Sequence, residues 1–94
     1  MAVHRTHIRV IGEILDTTQD DAQAGGTNVT HLIRAANISH TRILPILKLL
    51  VSQGLLEQVD SRGASRYRLS TSGREFLQAY REFSRFAEDF GLSI

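Results

Sequence analysis

The stretch Thr27–Gly73 reads TNVTHLIRAANISHTRILPILKLLVSQGLLEQVDSRGASRYRLSTSG. The order of signals within it decides the fold. Val29, Leu32, Ile33 and Ala36 recur at helical spacing and predict a short helix over Asn28–Ala36, with Thr27 as its N-cap. Asn37 takes a turn or left-handed conformation at low cost, Ile38 fills the angle that follows, and Ser39 is a natural N-cap for the next helix. That helix is expected over His40–Gln53, with Ile43, Ile46, Leu47, Leu50 and Val51 as its core stripe and Gly54 closing it at a position needing positive φ. Pro45 lies inside it, where the lost hydrogen bond and ring clash cost ~3 kcal/mol. The expectation is a kink near Thr41, or a helix that regularises only from about Ile43. Leu55–Val59 and Ser65–Ser70 then read as strands about an Asp60–Ala64 turn. Tyr67 and Leu69 alternate with Arg66, Arg68 and Ser70, which sets both arginines on the face opposite the core.

Working outward, His4–Thr17 reads as an amphipathic helix. Val3, His7, Val10 and Ile14 form one stripe, and Ile8, Ile11 and Leu15 lie beside it. Thr18–Gly26 is polar, acidic and glycine-containing and reads as a loop. After the strands, Thr71 or Ser72 is expected to cap a last helix, with Ser72 and Glu75 at capping-box spacing. That helix runs to about Phe90. Phe76, Tyr80, Phe83, Ala87 and Phe90 recur at alternating four- and three-residue steps, flanked by Leu77 and Phe86. This element order is mainly α (α+β): a helix-turn-helix with a two-stranded β-hairpin wing over residues 1–71, and a C-terminal helix over residues 72–94.

The chain has 94 residues, 41% of them hydrophobic, which suits one domain with a core of marginal size. There is no cysteine, so disulfides, zinc fingers and thiol chemistry are excluded. No apolar run approaches the ~20 residues of a membrane helix, and the amino end lacks an apolar signal core. The expected location is cytoplasmic and nucleoid-associated, with no membrane partner. The net charge of +1 hides a strong division. Residues 27–74 carry seven basic against two acidic side chains, a net of +5, while the segments on either side carry −2 each. Six of the seven cations are arginines, which grip phosphates and guanine edges bidentately. Such asymmetry is the electrostatic footprint expected for a polyanion, although a solvated basic face can serve solubility alone.

His40, Thr41 and Arg42 fall in the first turn of the third helix, the end that points at base edges in helix-turn-helix proteins. Ser39 precedes them and Lys48 lies on the polar side of the same helix. Arg34, on the second helix, is placed for a phosphate or for an ion pair with Glu57 or Asp60. Arg62, Arg66 and Arg68 belong to the hairpin, where arginine suits a narrow, electronegative minor groove. Charged edge strands also guard against aggregation, which accounts for Arg66 and Arg68 better than for Arg62. Enzyme chemistry finds no support. His4 with His7, or His31 with His40, has no carboxylate or cysteine to complete a metal site, and no phosphate loop or nucleophile elbow is present. No catalytic residue, metal or cofactor is assigned.

The string GLLEQVDSRGASRYRLSTSGREFLQAY resembles the winged-helix proteins common in archaea, with Gly54, Leu55, Leu56, Tyr67, Leu69, Thr71, Gly73, Phe76 and Leu77 standing at the family's signature positions. The upstream ISHTRILPILKLLVSQ resembles that family's recognition helix, and the resemblance extends over about residues 5–90. It implies a small DNA-binding transcription regulator or chromatin-associated protein, dimerising through the last helix as an antiparallel coiled coil. Phe76 and Leu77 are then expected in the domain core, and Tyr80, Phe83, Ala87 and Phe90 against a second subunit. The expected function is a homodimer binding double-stranded DNA, with the helix at about 40–53 in the major groove and the hairpin at 60–66 on the minor groove or backbone. Non-specific architectural binding and a protein-interaction module are the alternatives.

Overall fold

The computed structural model describes residues 6–20, 25–61 and 64–94. Four helices and a small sheet follow in the order α1 (His7–Asp20), β1 (Thr27–Asn28), α2 (Val29–Ala36), α3 (His40–Ser52), β2 (Leu56–Ser61), β3 (Ala64–Leu69) and α4 (Thr71–Glu88). The sheet has the order β1-β3-β2 and is antiparallel throughout. β2 and β3 pair from Leu56–Leu69 out to Ser61–Ala64.

Local chemistry sets most of the boundaries. The Thr6 hydroxyl accepts the Arg9 N–H at 3.1 Å at the start of α1 at His7, and the expected beginning of this helix at Val3 and His4 lies outside the described residues. At its other end α1 continues past the expected loop start. Thr18 is fully buried and its hydroxyl donates to the Ile14 carbonyl at 2.6 Å, so the side chain serves as core with its polar atom satisfied. The N-cap of α2 is Asn28, whose Oδ1 accepts the His31 N–H at 2.8 Å. Thr27 is not that cap, because its backbone is drawn into the sheet opposite Tyr67.

Asn37 ends α2 in the left-handed region (φ 51°, ψ 55°), and the Ile38 N–H reaches back to the Ile33 carbonyl. Ser39 caps α3, accepting the Arg42 N–H at 3.3 Å. α3 is helical from His40 through Pro45, so it does not begin late at about Ile43. Pro45 is exposed on the outer side, so water can reach the Thr41 carbonyl that has no proline N–H to accept. Gly54 closes α3 with φ 78°, the Gly54 and Leu55 N–H groups donating to Val51 and Leu50. Ser70, not Thr71 or Ser72, caps α4. Its hydroxyl accepts the Gly73 N–H at 2.9 Å and donates to the Gly54 carbonyl, tying the start of α4 to the end of α3.

The core gathers Ile14 and Leu15 of α1, Leu32 and Ala36 of α2, and Ile43, Leu47 and Leu50 of α3 with Ile38, Leu56, Tyr67, Leu69 and Leu77. His7 and Ile8 lie outside it, exposed at the open start of α1. Leu77 is fully buried and Phe76 partly so, as expected for the domain side of α4. Tyr80 also packs on this core. Its ring covers Gly12 so closely that a Cβ there would collide with it, and Arg81 pairs with Asp16 alongside.

Candidate nucleic-acid interface

The first turn of α3 is held open to solvent. Its cap uses the Ser39 hydroxyl within its own helix and leaves His40, Thr41 and Arg42 exposed. Ile43, Leu47 and Leu50 bury the inner side of α3, so the 3.6-residue period turns Thr41, Pro45, Lys48 and Ser52 outward, all exposed. Leu44 lies beside that row on the side of the hairpin. It lines a groove of about 420 Å³ with Lys48, Val51 and Ser52 of α3 and Gln58 and Tyr67 of the hairpin. Helix and hairpin therefore form one continuous surface. The amino end of α3 also has a positive dipole and free N–H groups, which favour anions.

Beyond the buried Leu56, Tyr67 and Leu69, the inner face of the hairpin is polar and tied down. Ser65 donates to Asp60 at 2.9 Å, and Gln58 donates to Ser65 at 3.1 Å. Burial, and secondarily the Asp60 carboxylate, raise the pKa of the Tyr67 phenol and keep it neutral and hydrogen-bond competent. Arg66 and Arg68 lie on the other face, as the alternation predicts. There they are engaged with their own chain: Arg66 donates to the Gly26 carbonyl at 3.2 Å, and Arg68 pairs with Glu57 at 3.7 Å across the strands. Arg68 lines a second cavity of about 230 Å³ with Gln19, Glu57 and Arg74. The structure thus groups Ser39, His40, Thr41, Arg42 and Lys48 on α3 and sets Arg66 and Arg68 behind the sheet. Arg34 is exposed on the last turn of α2, and Arg62 lies outside the described residues. The partner of Arg68 is Glu57, the residue that sequence reasoning offered to Arg34.

Sequence reasoning passed over Leu44 and Pro45 as surface residues. The signal was available, since both fall out of phase with the Ile43–Leu47–Leu50 stripe. It also missed Gln58, whose position follows only from the register with Tyr67.

A second exposed surface lies on α4 and on the turn after it, since the helix ends at Glu88 and not at about Phe90. Phe83, Phe86 and Phe90 are 58%, 59% and 66% exposed, and Leu92 is 62% exposed. The Phe86 and Phe90 rings pack edge-on with centroids 5.1 Å apart. Ala87 is buried within its own chain. Gly91 turns the backbone with φ 73°, and the Leu92 N–H donates to the Ala87 carbonyl at 2.9 Å. The tail folds back so that Ile94 lines an apolar groove with Ile8, Phe76 and Phe83. Among the described residues there is no group of three His, Asp or Glu able to hold a metal ion, and no helix long and apolar enough to cross a membrane.

Two solved structures share this architecture. Sso10a-2, a DNA-binding protein from Sulfolobus solfataricus, matches with a TM-score of 0.81 and 20% identity over 92% of this chain and 85% of that one. MepR, a transcription regulator of the Staphylococcus aureus multidrug efflux pump MepA, matches with a TM-score of 0.72 and 20% identity. That match covers 86% of this chain and 60% of MepR. At 20% identity these likenesses establish the fold alone. No curated protein sequence matches significantly. A winged helix-turn-helix family model matches residues 4–88, and the chain belongs to that family.

Proposed function

We propose that this chain binds double-stranded DNA as a homodimer and acts as a transcriptional regulator. In this reading α3 enters the major groove by its amino end and the β2–β3 hairpin lies on the adjacent backbone or minor groove. The observation that carries the reading is the exposed, Ser39-capped first turn of α3, with His40, Thr41 and Arg42 free of the core and Lys48 further along the same helix. Arg42 is assigned to a base edge, with a discrimination of roughly 1–3 kcal/mol if it reads guanine bidentately. Arg34 and Lys48 are assigned to phosphates, which fix register without reading sequence. The DNA-binding and regulatory roles stated for Sso10a-2 and MepR agree with this assignment.

The dimer is assigned to the outer face of α4. Three phenylalanines more than half exposed in a 94-residue chain form an apolar patch that water disfavours and that a two-fold copy of itself would cover. Phe83, Phe86 and Phe90 carry this contact, because Tyr80 and Ala87 are turned into their own chain. A two-fold dimer would offer two copies of α3 to successive half-sites.

Selection from random duplexes tests the regulator assignment. A recovered two-fold symmetric site supports it, and Arg42→Ala should relax base preference at one position of each half-site. Recovery of no preferred sequence despite tight binding would establish an architectural binder instead.

A further inference from the structure

We infer that Leu44 is a specificity-determining residue that reads thymine through its 5-methyl group. This inference rests on the DNA-binding reading above and extends it to base identity.

In the first two turns of α3, the row Thr41, Leu44, Pro45 faces outward ahead of Lys48. Leu44 is 40% exposed, whereas Leu47 and Leu50 are almost completely buried; the other exposed leucine of the helix, Leu49, lies ten residues after the Ser39 cap, in its last turns. Its position is not a packing accident of the last turn. It is five residues after the Ser39 cap, on the part of a recognition helix that enters the groove most deeply. Its wing-side neighbours Val51 and Tyr67 make the adjoining groove wall largely apolar.

A leucine at this place offers no donor and no acceptor. Pressed against a guanine, cytosine or adenine edge, it would strip water from N7, O6 or an amino group and return no hydrogen bond, which is costly. The thymine 5-methyl is the single apolar group on an unmodified base in the major groove, so Leu44 meets it without that loss. Pro45, which also lacks an N–H, adds a second apolar contact beside it, and Thr41 can contribute its methyl. The site is therefore expected to hold thymine, at one or two adjacent positions in each half-site, next to the base read by the amino end of α3.

The test uses the full chain and the duplex recovered by selection. Each thymine is replaced in turn by deoxyuridine, which removes the methyl and leaves every hydrogen-bonding atom in place. Affinity should fall about fourfold per critical methyl, the worth of one buried CH₂-sized group. Leu44→Ala should bind the thymine and deoxyuridine duplexes alike. Leu44→Met, still apolar and long enough to reach, should restore the difference. Melting curves of both variants, expected near wild type for so exposed a position, separate loss of reading from loss of fold. If no deoxyuridine substitution weakens binding, or if Leu44→Ala keeps the full discrimination, the inference is overturned while the DNA-binding assignment stands. If no duplex is bound at all, both fall together.

Discussion

Gly73→Ala tests the joint that fixes α4 to the DNA-binding half of the molecule. Gly73 is the third residue of α4 and is buried. A Cβ there would overlap the Leu55 carbonyl oxygen and lie 2.7 Å from Leu69 Cδ1. In an open helix the same change stabilises by up to ~1 kcal/mol. Here the obstacle is backbone, and it cannot swing aside. Leu55 is fixed twice, its N–H donating to Leu50 at 2.9 Å and its carbonyl accepting from Ser70 at 3.2 Å. Overpacking costs ~1–3 kcal/mol, and losing the Ser70–Leu55 hydrogen bond costs about 1 kcal/mol more. The helical gain offsets roughly that last amount, so the net loss is about 1–3 kcal/mol. For a domain of this size the Tm should fall by roughly 5–25 °C. Urea and thermal denaturation followed by far-UV circular dichroism, at matched protein concentration, measure it. Gly12→Ala is the comparison. The nearest atoms to its Cβ would all belong to the Tyr80 ring, a side chain that can move, so its loss should be smaller. A Gly73→Ala protein as stable as the parent would refute the close approach of α4 to Leu55.

Other expectations follow from the same contacts. Asn28→Ala removes the cap of α2 and should cost about 1 kcal/mol by denaturant titration. Phe83→Asp places a charge in the proposed α4 contact. Light scattering should show a dimer in the parent and a monomer in the variant, and an equal mass for the two would remove that interface. Burial raises the phenol pKa of both Tyr67 and Tyr80 in the folded chain. The unfolded chain therefore loses these protons first. Stability from this source is complete below about pH 10 and declines above it, which pH-dependent melting can follow.

The sequence was most legible where one residue settles one backbone conformation. Asn37, Ser39 and Gly54 each punctuate the chain as their chemistry requires, and the alternation through Tyr67 and Leu69 sets the inner face of the hairpin. Cap selection was less legible, because Ser70, Thr71 and Ser72 are three consecutive hydroxyl residues. Ser70 takes the role through a contact with Gly54, sixteen residues away. β1 was invisible for a similar reason. Two residues carry no periodicity, and their pairing with β3 is a long-range event. The site was legible on α3, where helical phase separates core from surface. The hairpin arginines were less so: alternation gave their face, but not that Gly26 and Glu57 would hold them there. The turn at Gly91, after which the Leu92 N–H donates to the Ala87 carbonyl, is not contained in a heptad reading of α4.

The central claim is that the exposed face of α3 and its flanking cations grip DNA. Its most direct measurement is the affinity for a labelled duplex over a salt series. Each neutralised phosphate lowers log K by about 0.9 per decade of salt. With Arg34 and Lys48 on phosphates in both protomers, the slope should be about −4, and it should become shallower by about 2 in Lys48→Ala. Binding that ignores salt, or no binding to any duplex at low salt, would contradict the account.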